Sequence, residues 1–450
     1  MRRVTPTYHR GTETPRNILA FLGASVSRCF VISAVLGALI TPHAGAQTDA
    51  DGTTPLHRAS YRDDVTDADA LLRAGADVNA ANDLGATPLW LASLNGSAPM
   101  VHRLLEAGAN PNLALMSGET PLMVAARAGA ADVVQLLAAK GAHVNARAAR
   151  GQNALMWAVA QRHPTVVKVL LAHGADIHAK SDVWGQVMAV PPHGHADYNR
   201  WIPHGGETAL LFAARAGDLE SATLLVAAGA DVHDADAWGV SAMVLAAHAG
   251  HRELVELLLE EGADASSAAA GFTALHIAIM RRDERMAAAL LARGADPNAP
   301  LRTWTPTRRA SADYNFPPPL VGATPFWLAA RVTHPGIMRL LAKHGANPRV
   351  VHRSEYYLTD MYDRRTEATT ALMAATGMGI GGAAWLPPPR EAREALTLEA
   401  VQLAVELGAD LNAANTDGRT ALDAAQALKF ESVVRYLVEK NARSGKTAKP

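Results

Sequence analysis

Leu104-Leu105-Glu106-Ala107-Gly108-Ala109-Asn110-Pro111-Asn112 is the stretch that decides the architecture, because versions of it return along the whole chain. It recurs as Leu71–Asn79, Leu136–Asn145 and Leu170–His178, and in looser form as far as Val405–Asn412. The glycines that mark the first four copies, Gly75, Gly108, Gly141 and Gly174, stand 33 residues apart. The markers then continue at Gly229, Gly262, Gly294, Gly345 and Gly408, in steps of 55, 33, 32, 51 and 63. A fixed period of this size is one supersecondary unit repeated, and the long steps are that unit with an insertion.

A second motif precedes each marker. Thr54-Pro55-Leu56-His57 and Thr87-Pro88-Leu89-Trp90 stand 21 residues before Gly75 and Gly108. Thr120-Pro121-Leu122-Met123, Thr273-Ala274-Leu275-His276 and Thr324-Pro325-Phe326-Trp327 continue the series. Threonine before proline reads as a helix N-cap followed by Pro at the first helical position, where its missing N–H costs nothing. A helix of about eight residues follows, for example 122–128, and Gly129 or its equivalents Gly96, Gly217 and Gly250 end it. The second helix is plainest at 252–261, where Leu254, Val255, Leu257, Leu258 and Leu259 make an apolar stripe with Glu256 and Glu260 outside. The marker glycine then takes the left-handed position after the helix.

A turn and two helices, with Thr-Pro-Leu-His opening the first and Gly-Ala-Asp closing the second, resembles the ankyrin repeat. Ten units fit between about residues 51 and 442, so the expected fold is an all-α solenoid of about ten helix-turn-helix repeats over 47–442. The chain also resembles secreted bacterial ankyrin-repeat proteins to which no reaction is assigned. The resemblance implies a concave surface of inner helices and finger turns that binds other proteins. It also implies a structural hydrogen bond for His57 and His276. His251 follows Gly250 in the interhelical turn, and Trp90 and Trp327 follow the helix-start Leu or Phe, so these three read as scaffold. Because each unit buries its apolar face only against a neighbour, the array stands as a stack. Lys429, Glu431, Arg435, Glu439 and Lys440 give the last unit the polar outer face of a terminal cap, and 443–450 reads as a disordered tail.

Residues 1–46 differ in kind. Arg2, Arg3, Arg10, Arg16 and Arg28 lead into the apolar run 29–40, and Ala44-Gly45-Ala46 follows as a small-residue cleavage site before Gln47. That is the pattern of a secretory signal peptide, and the apolar run is shorter than the roughly 20 residues that span a bilayer. The expected location is periplasmic or secreted, with no stable membrane span after removal of the signal. The one cysteine, Cys29, lies within this segment, so the mature chain would carry no disulfide, thiolate metal site or cysteine nucleophile.

The repeat is stretched in four places. Insertions of 22, 18 and 13 residues enter the fingers near 183–205, 301–320 and 351–368, and one of 17 separates the two helices of a single repeat near 377–394. Ten of the aromatic residues fall in them: Trp184, Tyr198, Trp201, Trp304, Tyr314, Phe316, Tyr356, Tyr357, Tyr362 and Trp385. Arg200, Arg308, Arg309, Arg353, Arg364 and Arg365 accompany them. Aromatic and arginine side chains are the usual anchors of protein interfaces, and insertions on one face of a solenoid often mark its binding face. Trp184, Tyr198, Arg200, Trp201, Trp304, Tyr314, Phe316, Tyr356 and Tyr357 are therefore the partner-binding candidates. The competing reading is that these loops fold back and seal small cores of their own.

His193, His195, Asp197 and His204 are of the types that ligate zinc. They stand in a loop-like segment without a paired cysteine or a helical His-x-x-x-His, so solvated loop histidines are the favoured reading and no metal or cofactor is expected. A metal-dependent enzyme or accessory site assembled from these loops is the alternative. A formal net charge of −1 gives no basic surplus for nucleic acid. Gly377-Met378-Gly379-Ile380-Gly381-Gly382 lacks the Gly-Lys-Ser/Thr ending and preceding strand of a phosphate loop and reads as a flexible link. No serine elbow, His-Glu-x-x-His helix or dinucleotide fingerprint is present, so the chain is read as a non-enzymatic scaffold.

Overall fold

Threonine and proline start the helices as the sequence predicts. The Thr87, Thr120 and Thr324 hydroxyls accept the backbone N–H three residues on at 3.2, 3.3 and 3.4 Å, and Pro occupies the first helical position each time. At Thr54 and Thr273 the cap is reciprocal. The His57 ring Nδ1 accepts the Thr54 N–H at 3.1 Å, so Nε2 carries the proton and donates to the Ala86 carbonyl of the next finger at 2.8 Å. The same histidine thus fixes a helix start and ties one repeat to the next.

The structure, a computed structural model, describes residues 48–189, 196–305, 316–357, 363–379, 389 and 392–445. The expected signal segment, His193, His195, Tyr314, Tyr362, Trp385 and residues 446–450 of the tail lie outside them. Ten helix pairs follow one another among the described residues, from Pro55–Arg62 with Val65–Arg73 to Ala421–Leu428 with Glu431–Glu439. The fold is the all-α repeat solenoid expected. Each first helix packs on the first helix of the next repeat, and each second helix on the next second helix. One buried apolar cluster therefore runs from Leu56 to Leu437. Arg252–Glu260 shows how the stripe is used: Leu254, Val255, Leu258 and Leu259 are buried, while Glu256 and Glu260 stay exposed.

The glycine that ends four of the first helices, at 96, 129, 217 and 250, has a second role. Gly129 has φ 78°, which a side chain rarely adopts, and a Cβ there would also lie 2.8 Å from the His163 ring of the following repeat. That ring places Nε2 3.1 Å from the Arg127 carbonyl at the helix end. Glycine lets the helix stop and lets the neighbour cap it.

The closing Asn of the repeated stretch does more than end a turn. Asn112 donates its amide N–H to the Gly141 carbonyl at 3.0 Å and accepts the His143 N–H at 2.7 Å, both in the next repeat. Asn79 and Asn145 make the same pair of bonds to their neighbours. Asn298 reaches Gly345 at 3.0 Å and Asn347 at 2.7 Å even though an insertion separates the two repeats in sequence. The second insertion therefore leaves this bridge intact. At the end of the stack, Lys429, Glu431, Arg435, Glu439 and Lys440 are all exposed.

Two inserted fingers hold strands. Trp184–Ala189 (β1) pairs antiparallel with Asn199–His204 (β2), and His352–Tyr357 (β3) with Arg364–Thr369 (β4). The first insertion, read as loop-like, is therefore a β-hairpin. Replacing Asn112 with Ala should lower unfolding stability by about 1–2 kcal/mol, since two bonds to the next repeat disappear. Asn112→Asp should cost a similar amount, because a carboxylate cannot donate to the Gly141 carbonyl. Urea unfolding checks this, and wild-type stability in both variants would show that the amide bridge is idle.

Candidate functional site: the inserted fingers

Hairpin β1–β2 has two unlike faces. On one, Trp184 stacks on His204 with centroids 4.5 Å apart, and the Arg150 guanidinium lies 5.0 Å from the Trp184 ring. Met188 and Ile202 are buried on this same face. On the other, Val187 stands directly opposite Trp201, and these side chains are 65% and 63% exposed. The Trp201 ring lies across Gly185, where a Cβ would strike it. Glycine at 185 thus lets the indole lie flat along the sheet. Val183, just before the strand, is 59% exposed and adds to the apolar patch.

The second insertion turns inward. Thr305 and Phe316 close it with a backbone bond of 3.0 Å and a bond from the Phe316 N–H to the Thr305 hydroxyl of 2.7 Å. Phe316 is fully buried, 5.6 Å from Phe272 and edge-on to His276 at 6.3 Å, so it plugs the core of the preceding repeat. Trp304 is 3% exposed and packs with Val321 and Tyr357.

In hairpin β3–β4, His352, Ser354 and Tyr356 point inward. The His352 ring packs 4.2 Å from Trp327, and its Nε2 lies 2.9 Å from the Pro319 carbonyl. Burial, with the Glu367 carboxylate beside it, raises the Tyr356 hydroxyl to about 12. A shallow cleft of about 340 Å³ opens next to Tyr356 and Glu367. It lies where the first helix of the ninth repeat, Ala371–Ala375, is cut to five residues.

The three insertions meet. Arg200 of the first places its guanidinium 4.7 Å over the Trp304 ring of the second and donates to the Thr303 hydroxyl at 3.0 Å. Tyr357 of the third donates its hydroxyl to Asp197 of the first at 3.0 Å. Each candidate within the described residues thus has a place. Trp184, Trp304, Phe316 and Tyr356 cover apolar surface, and Arg200 and Tyr357 join insertions. Trp201 is the one largely exposed aromatic among the candidates whose side chains are described. Tyr198 closes a 3₁₀ turn, Ala196–Tyr198. Of the four residues with metal-ligating chemistry, Asp197 is engaged by Tyr357 and His204 by Trp184, and among the described residues no three His, Cys, Asp or Glu groups converge. Val183 and Val187 were not among the sequence candidates. No alternation along 184–189 marked them, because Trp184 and Met188 on the opposite face are equally apolar.

A charged cluster lies at the base of the first hairpin. Arg215 pairs with Glu207, while Asp236 accepts the Trp238 and Val240 N–H groups at 2.9 and 2.8 Å to hold the next finger turn. Asn82 and Asn415 hold the equivalent turns with a neutral amide. Burial, reinforced by Glu207 and opposed by the two N–H bonds and Arg215, raises the Asp236 carboxyl to about 6.

The chain belongs to the ankyrin-repeat family. The model described as ankyrin repeats (3 copies) matches residues 31–114, 89–181 and 210–300, more than half of the chain, and the single ankyrin repeat matches 321–353. Among solved structures, the chain is similar to the human ASB11 ankyrin repeat domain. The two are 26% identical over 54% of this chain and 99% of that one, with a TM-score of 0.45. No curated protein matches. Ankyrin repeats generally mediate protein–protein interaction on a scaffold that is typically non-enzymatic. Among the described residues no helix is long and apolar enough to cross a membrane.

The cluster gives a pH prediction. With its value raised in the folded state, Asp236 keeps a proton that the unfolded chain releases from about pH 4, so stability falls as pH rises through 4 to 6. Asp236→Asn should therefore stabilise the protein by about 1–2 kcal/mol at pH 7.5 and by almost nothing at pH 4. The difference between the two unfolding curves against pH measures it, and a flat difference would contradict the raised value.

Proposed function

We propose that the protein is an exported, non-enzymatic scaffold that binds a protein partner through the exposed face of its first inserted hairpin. The observation that carries this reading is the cross-strand pair Val187–Trp201. Two large apolar side chains, 65% and 63% exposed, stand opposite each other on a sheet whose other face buries Met188 and Ile202. An exposed apolar patch on an otherwise well-buried protein marks an interaction site, and tryptophan is among the commonest energetic anchors of interfaces. The sheet holds the indole in place before binding, which lowers the ordering cost of association. Arg200, Trp304 and Tyr357 support that sheet from the covered side. The apolar run 29–40 and the Ala44-x-Ala46 ending support export, with the mature chain starting at Gln47.

Capture from periplasmic extract tests both parts. The wild-type chain should retain a discrete partner, and Trp201→Ala should weaken that binding by about 2 kcal/mol or more, roughly 30-fold. Helical signal and unfolding midpoint should stay at wild-type values, because Trp201 covers no core. Equal capture by Trp201→Ala and Val187→Ser would remove the hairpin face as the binding site. Cellular protein that still begins at Met1 and remains in the cytoplasm would remove export.

A further inference from the structure

We propose that hairpins β1–β2 and β3–β4, with Trp304 between them, form a strap that couples the fifth repeat directly to the ninth. Units of a repeat stack touch only their neighbours, so a change in one unit ordinarily spreads through each unit in turn. Here two groups depart from that rule. Asp197 lies at the far end of the first hairpin, beside the start of β2, and Tyr357 ends β3 at the far end of the third insertion. They are bonded across 160 residues of sequence. Asp197 also attracts Arg364, the first residue of β4.

The dimensions agree. Packed helices advance about 8–10 Å per layer, so four repeats cover roughly 32–40 Å. Each six-residue strand is about 20 Å long, and two hairpins leaning toward each other along the row of fingers span that distance. Trp304 supports the meeting point. It is buried against Tyr357 and Val321, with the Arg200 guanidinium over its ring. The bases of both hairpins are anchored in ordinary repeats: the Gly205 carbonyl accepts the Ala237 N–H of the sixth finger at 2.9 Å, and His352 is pinned at Pro319. The strap is thus fixed at both ends and closed in the middle by a few solvent-facing bonds. It holds the spacing of fingers five to nine, and breaking the closure at its centre frees both hairpins while the helices beneath keep their packing.

Hydrogen exchange on the full chain tests this, read residue by residue. The double variant Asp197→Ala, Arg200→Ala changes only exposed side chains in the first hairpin. It should speed exchange of the amides of 352–357 and 364–369 about fivefold or more, the factor expected for losing a typical hydrogen bond. Amides of the intervening sixth and seventh fingers, 235–241 and 269–273, should exchange as in the wild type. The coupling must be reciprocal, so Tyr357→Phe should speed exchange in 184–189 and 199–204 by a similar factor. Unchanged exchange in the third insertion would overturn the strap. A shift shared equally by fingers six and seven would also overturn it, because the signal would then have travelled through the repeats.

Discussion

No single repeat of this chain can bury its own apolar face, and every other feature follows from that constraint. Two short helices, most of seven to nine residues, leave a stripe of Leu, Val and Ala that only the next pair covers. The result is one core extending from Leu56 to Leu437. Apolar packing alone would not set the spacing between pairs, because it has no direction. Polar groups set it. His57 and the asparagines at 79, 112, 145 and 298 each bond a backbone group in the following repeat. His178 and His233 stand where this asparagine would be in the fourth and fifth repeats, beside the first hairpin. There the fingers are held by other means, among them the Lys180–Asp234 ion pair at 3.1 Å.

Burial of ionisable groups in so continuous a core has electrostatic consequences. His276 is fully enclosed, and desolvation, against the pull of the Ala299 and Ala323 carbonyls, lowers its value to about 4. It is neutral at physiological pH and acts as a hydrogen-bonding wedge at a helix start. Asp236 is the converse case. Its turn needs an acceptor for two N–H groups, and a carboxylate supplies it where the equivalent turns use asparagine amides.

The repeats were legible in the sequence because their signals are local. Thr-Pro-Leu, the marker glycine and the 3.6-residue stripe each lie within a few residues, and each structural outcome matches its signal. The hairpins were not legible, for identifiable reasons. In β1, Trp184 and Met188 face inward while Val187 faces solvent, so both faces are apolar and no alternation appears. In β3 the buried positions are His352, Ser354 and Tyr356, so the inward face carries no aliphatic residue and the strand lacks an apolar–polar alternation. The concentration of aromatics in the insertions was visible, but not their division of labour. Phe316 and Trp304 are buried by partners far away in sequence, whereas Trp201 is left outside by Gly185, a residue whose importance shows only when the sheet is built. Bonds spanning 103 and 160 residues leave no local trace.

Frame and proposed binding face are thus separate in this chain: the repeats, one of them plugged by Phe316, supply a continuous, directionally bonded stack, and the first inserted hairpin supplies an exposed apolar face that the stack does not bury. Excising 184–204, with Val183 joined to Gly205 through two glycines, addresses that separation most directly. Trp184 pairs with His204, so the ends left by the cut are already neighbours. The excised chain should keep its helical circular-dichroism signal and a cooperative unfolding transition while losing its protein partner. A loss of helical signal, or partner capture undiminished by the excision, would contradict the account.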